Sequence, residues 1–177
     1  MRSRLTVRTI ALVGVLAATL TSAKMILSFL PNVEIVTLLC ALYGYVFGPV
    51  GIAAAFVFVC VEPLIYGFGL WTISYFLYWP LIPAVFWTLR RMGAKSRLIL
   101  TSAALLLTLW FGVLSSLVEV GLFSGSYQNF LGRFSIHYLR GITFYAIQLG
   151  CNAVAFPLLF RPISERLEKM RRSIGSR

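Results

Sequence analysis

The sequence predicts an all-α integral membrane protein: a compact bundle of six transmembrane helices with both termini in the cytoplasm. Three observations carry that expectation. Of 177 residues, 59% are hydrophobic and only 12% are charged, against about 25% charged in typical soluble proteins. Apolar runs approaching the roughly 20 residues of a bilayer span recur along the whole chain. Third, the basic residues gather on alternate connections, as positive-inside topology requires. The chain reads as one membrane domain, residues 1–177, with no soluble domain, repeat or low-complexity tract.

The first span is expected over 9–29. Its start, "MRSRLTVRTIALVGVLAATLTSAK", has the basic-then-apolar form of a leader peptide. It runs on to Leu30 without a polar gap, so it is read as the first helix of the mature protein. Gly14, Ala18 and Ser22 recur every four residues, with Ala11 on the same face. Small residues at that spacing let another helix approach closely, within this chain or from another subunit.

The second span, 34–47, follows "FLPNVE" and ends at "FGPVG" (47–51). From Ile35 onward it rises only ~20 Å, short of the ~30 Å hydrocarbon core. The Pro31-Asn32 loop must therefore dip into the membrane or be covered by protein, which is tolerated only beside protein or a wet cavity. The third span, 50–67, carries Glu62 just before the helix-breaking Pro63 and ends at "GFG" (67–69). In the fourth, 70–89, Trp71, Tyr75, Tyr78 and Trp79 share one helical face. They suit either an aromatic belt at the headgroups or a stacking wall for a flat ligand. Pro80 and Pro83 would bend this helix and could open such a cavity.

"RRMGAKSR" (90–97) precedes the fifth span, 98–122, which holds Glu119 near its end. The longest polar connection is "SGSYQNFLGRFSIH" (124–137). It leads into the sixth span, 138–160, and then a basic cytoplasmic tail over 161–177.

With six spans, thirteen of the sixteen Lys and Arg fall on the side of the termini, with Glu165 and Glu168. That side accounts for the whole net charge of +11. The basicity thus reports topology and anionic headgroups. The tail lacks the interleaved aromatics of a nucleic-acid binder, so no nucleic acid is expected.

The remaining charges balance. Lys24, Glu34, Glu62, Glu119, Arg133, His137 and Arg140 all fall on the outer half. A charge inside a bilayer costs at least ~2.5–3.5 kcal/mol, so it needs a partner or water. These seven are either ion pairs and anchors or the lining of a wet cavity. Tyr127, Asn129, Gln148 and Asn152 add neutral hydrogen-bonding groups.

Several chemistries lack their residues. There is no Walker A loop, no HExxH, no GxSxG, and no aspartate. Cys40, Cys60 and Cys151 stand alone in apolar segments, so neither a metal site nor a disulfide is expected. "GVLSSL" (112–117) offers serines, but nothing in the sequence identifies a base beside them. No catalytic residues are assigned.

"LPNVEIVTLLCALYGYVFGPVGIAAAFV" (30–57), six spans and the small-residue first helix resemble the substrate-binding S component of an energy-coupling factor (ECF) vitamin transporter. That resemblance implies a high-affinity binding subunit of an ABC-type importer in a bacterial cytoplasmic membrane. It implies a transmembrane coupling subunit and two cytoplasmic ATPases as partners. They use the ATP, and this chain needs no bound cofactor. The family's usual Ala-x-x-x-Ala contact to the coupling subunit would correspond to Ala11, Gly14, Ala18 and Ser22, a conservative departure. The vitamin would be met by Asn32, Glu34, Glu62, Trp71, Tyr75, Glu119, Tyr127, Arg133, His137 and Arg140. Cobalamin or a related corrinoid is the first expectation; hydroxymethylpyrimidine and pyridoxine are alternatives. A self-sufficient ion-coupled transporter using Glu62 or Glu119 is the competing reading.

Overall fold

The computed structural model, which describes residues 6–30, 33–123 and 128–175, has no strand among those residues. Its order is α1 (Val7–Leu27), α2 (Val36–Phe47), α3 (Pro49–Tyr66), α4 (Trp71–Arg91), α5 (Arg97–Phe123), α6 (Phe130–Arg140) and α7 (Ile142–Ala155). A π turn (Phe156–Phe160) then joins α7 to α8 (Arg161–Gly175) without a break. Counting that continuous rod once, there are seven helices among the described residues. Five are long and apolar enough to cross a membrane, and α2 is a shorter apolar helix. By length and composition this is a multi-pass membrane protein.

The short α2 occupies the centre. It is apolar on every side, so every side must be covered. Ten of its twelve residues are buried, and it is packed by α1, α3, α4, α5, α7 and α8. Its closest neighbour is α4: Gly44 lies where a Cβ would strike the Pro83 backbone. Gly48 has φ +60°, which glycine adopts without penalty, and Pro49 opens α3 directly behind it. That turn folds α3 back along α2. On α3 the buried stripe Gly51, Ala54, Ala55, Phe58, Val59 and Glu62 has helical spacing and faces inward.

Two stretches differ from the sequence expectation. Phe130–Arg140, expected as the end of a polar connection (to 137) and the start of the sixth span (from 138), is a separate helix that stops at Gly141, before α7. It carries no buried residue, and its Leu131, Ile136 and Leu139 are exposed beside its polar positions. Amphipathic spacing over one short stretch is easily read as a loop when only long apolar runs are sought. The expected tail over 161–177 is also helical through Gly175, because the helix continues past Pro157 by a π turn. Proline lacks the N–H that an unbroken α-helix would use there.

These contacts predict opposite outcomes for two glycines. Gly44→Ala should lower stability by about 1–3 kcal/mol through overpacking against α4. Gly14, whose added Cβ meets nothing within 4 Å, should tolerate alanine or gain up to about 1 kcal/mol. Thermal unfolding of the detergent-solubilised variants checks both.

Candidate ligand cavity

The bundle is hollow at one end. A cavity of about 400 Å³ lies among the last turns of α1, the start of α2, the end of α3, the first half of α4 and the first half of α7. Its depth follows from α2. Twelve residues rise only about 18 Å, while α1 and α4, at 21 residues each, rise about 32 Å. The space beyond the start of α2 is left to loops and side chains.

Glu34 stands at that start. Its carboxylate accepts from the Thr37 backbone N–H at 2.9 Å and from the Thr37 hydroxyl. Asn152 Nδ2 on α7 donates to it at 3.5 Å, and to Thr108 Oγ1 on α5 at 3.0 Å. Glu34 thus satisfies an orphan N–H of a buried helix end, and it also lines the cavity.

Lys24 on α1 forms an ion pair with the fully buried Glu62 on α3. Its ammonium lies 4.7 Å from the Tyr66 ring centroid and 4.9 Å from that of Tyr75, within cation–π range. Trp71, Tyr75 and Trp79 line the wall as successive edge-to-face pairs, with centroids 4.8 and 5.7 Å apart. Tyr78, from the same predicted aromatic face, is buried and turned onto Phe111 instead. Phe144 and Gln148 close the α7 side. The Trp79 Nε1–H is buried without a partner among the described residues, as is one Glu62 oxygen. Both atoms are sealed from the cavity, and an unpaired buried polar atom costs stability.

The structure therefore divides the predicted site. Glu34, Trp71 and Tyr75 line the cavity, and Glu62 is joined to it through Lys24. Glu119 and His137 form a second cluster: His137 Nε2 lies 3.0 Å from Glu119 Oε2, and Nδ1 lies 3.2 Å from Ser116 Oγ. That cluster fastens α6 to α5. Arg133 and Arg140 are exposed on α6 and do not line the cavity. Asn32 and Tyr127 lie outside the described residues.

The sequence showed no base beside the serines of "GVLSSL", yet His137 is one. Even so, Ser116 is fully buried and its hydroxyl donates to the Gly112 carbonyl at 2.7 Å. An acyl substrate has no path to it in this arrangement. Phe144 was the lining aromatic missed by sequence reading. Its signal was the spacing Phe144, Gln148, Asn152 (i, i+4, i+8), which puts an aromatic on the polar face of α7.

On α1, Ala11, Gly14, Ala18 and Ser22 are all exposed. The small-residue face points away from this chain's own helices, so packing within the chain does not account for it. No family model, curated protein or solved structure matches this chain. What fold and site define is a helical membrane bundle with one aromatic, charged cavity among its helix ends.

The ion pair predicts an asymmetry. Lys24→Met leaves the Glu62 carboxylate buried and alone, and should cost about 3–5 kcal/mol. Glu62→Gln leaves an ammonium that is already 26% exposed and can reach water along its flexible stem. Its loss should be clearly smaller when unfolding midpoints are compared.

Proposed function

We propose that this chain is the substrate-binding S component of an ECF-type importer, and that the cavity holds a small aromatic heterocycle of the vitamin class. The observation that carries the reading is the cavity wall, where edge-to-face aromatic rings stand beside Lys24, Glu34 and Gln148. Ligand sites combine apolar, aromatic walls with a few placed polar groups in this way.

Size bears on the ligand. About 400 Å³ stands near the lower end of the roughly 300–1,000 Å³ that enclose drug-sized ligands. A corrinoid macrocycle with its side chains is larger than that range serves. A single pyrimidine or pyridine ring with short substituents fits. Hydroxymethylpyrimidine and pyridoxine thus become the favoured candidates over cobalamin. Such a ring would stack on Trp71, Tyr75 or Trp79 and meet Glu34 or Gln148 with its own polar groups.

In this reading the chain has no catalytic role and no cofactor of its own. A transmembrane coupling subunit docks on the bare face of Ala11, Gly14, Ala18 and Ser22, and two ATPases power release into the cytoplasm. The basic end, with both termini, faces the cytoplasm of a bacterium, and the cavity faces outward.

A thermal-shift panel of vitamins and their precursors on the purified chain tests the ligand class. One small heterocycle should stabilise it saturably, because a ligand that binds only the folded state does so. Gln148→Leu keeps the wall's size but removes a polar lining group, and should weaken that binding up to about tenfold. Ala18→Leu should leave binding intact and abolish uptake in the presence of the partner subunits. Ion-driven uptake by this chain alone, lost in Glu62→Gln, would replace this reading with the secondary transporter.

A further inference from the structure

A second pocket, of about 160 Å³, lies at the opposite end of the bundle, where α4 ends, α5 begins and α8 begins. Its walls carry Arg90, Lys95, Arg97 and Arg161. Two of these four cations are spent. Arg90 pairs with Glu168 at 2.6 Å and stacks on Tyr45 at 4.7 Å, and Arg161 pairs with Glu165 at 3.2 Å. Lys95 and Arg97 make no ion pair among the described residues. They flank the first turn of α5, whose leading N–H groups have no intrahelical acceptor. The pocket thus offers two uncommitted cations beside a helix start, while its two carboxylates are already neutralised.

The floor is apolar. Phe156 and Phe160, stacked at 5.6 Å by the π turn, lie there with Leu100. Just outside, Leu98 and Ile99 on α5 are exposed, as are Leu158 and Leu159 on the π turn. Leu98 and Ile99 lie in the first turn of a helix long enough to cross a bilayer, an end that would meet the headgroups of a spanned membrane. Basic pockets between membrane helices bind anionic headgroups. A free phosphate would use the cations and leave the apolar floor and flank unused.

The geometry points to a binding site for the phosphodiester headgroup of an anionic lipid, phosphatidylglycerol in kind. Lys95, Arg97 and the start of α5 hold the phosphate, and the glycerol lies over Phe156, Phe160 and Leu100. The acyl chains leave along Leu98 and Ile99. The bound lipid ties α4, α5 and α8 together at the end of the bundle remote from the cavity.

The test uses the full chain in neutral detergent, titrated with short-chain phosphatidylglycerol, short-chain phosphatidylcholine or inorganic phosphate while the unfolding temperature is followed. Phosphatidylglycerol should raise it saturably, and the other two should not at equal concentration. Lys95→Gln/Arg97→Gln, two exposed unpaired side chains whose loss leaves the fold intact, should weaken the effect about thirty-fold. Lys169→Gln/Arg172→Gln, elsewhere on α8, should leave it unchanged. A shift with phosphate alone would make this a free-anion site and overturn the lipid assignment. Equal weakening by both double variants would reduce it to general surface attraction and overturn it too. If phosphatidylglycerol gives no shift, the pocket serves an acidic protein surface or nothing, and the proposal falls.

Discussion

A helix too short for its position shapes this protein. α2 sits at the centre, buried on nearly every face, yet rises only about 18 Å. Its first N–H groups open inside the bundle, where water cannot satisfy them, and an unsatisfied buried donor costs about 1–3 kcal/mol. Glu34 meets that need through Thr37, and Asn152 and Thr108 tie the same carboxylate to α7 and α5. Glu34 is thus first a cap. It becomes a cavity residue because the helix it caps stops short.

The charges around it follow from the same geometry. Glu62 is fully buried near the end of α3, and a lone carboxylate there would be untenable, so Lys24 crosses from α1 to meet it. Tyr66 and Tyr75 flank the ammonium on its open side. The cavity therefore has one neutralised pair and one hydrogen-bonded carboxylate against rings on which a flat ligand can stack. Those features favour a small, flat, polar-edged ligand. The opposite end carries cations and faces, on our reading, the anionic leaflet. The two ends of one bundle are chemically distinct, as an importer's binding subunit would require.

Much of the fold could be read from periodicity. Long apolar runs and the breakers "FGPVG", "GFG" and "RRMGAKSR" mark the α2–α3, α3–α4 and α4–α5 boundaries closely. α6 escaped because an amphipathic stretch of eleven residues carries too little hydropathy to register beside real spans. The helical tail escaped because a π turn around Pro157 has no sequence signature apart from the proline itself. The site was legible in composition but not in pairing. Sequence put seven ionisable groups on one half; only three-dimensional packing joins Lys24 to Glu62 and His137 to Glu119. Pairing depends on helix rotation and neighbours, which no single-helix pattern contains.

The central claim is that the space beyond the start of α2 is where a ligand sits. Calorimetric titration of the stabilising heterocycle against Val33→Phe and Glu119→Gln tests it most directly. Val33 lines the cavity, and a phenyl ring there projects into the space a ligand ring would take, whereas Glu119 belongs to the separate α5–α6 cluster. The account predicts one-to-one binding in the wild type and in Glu119→Gln, with none in folded Val33→Phe. Undiminished binding in Val33→Phe, or its loss in Glu119→Gln alone, would contradict it.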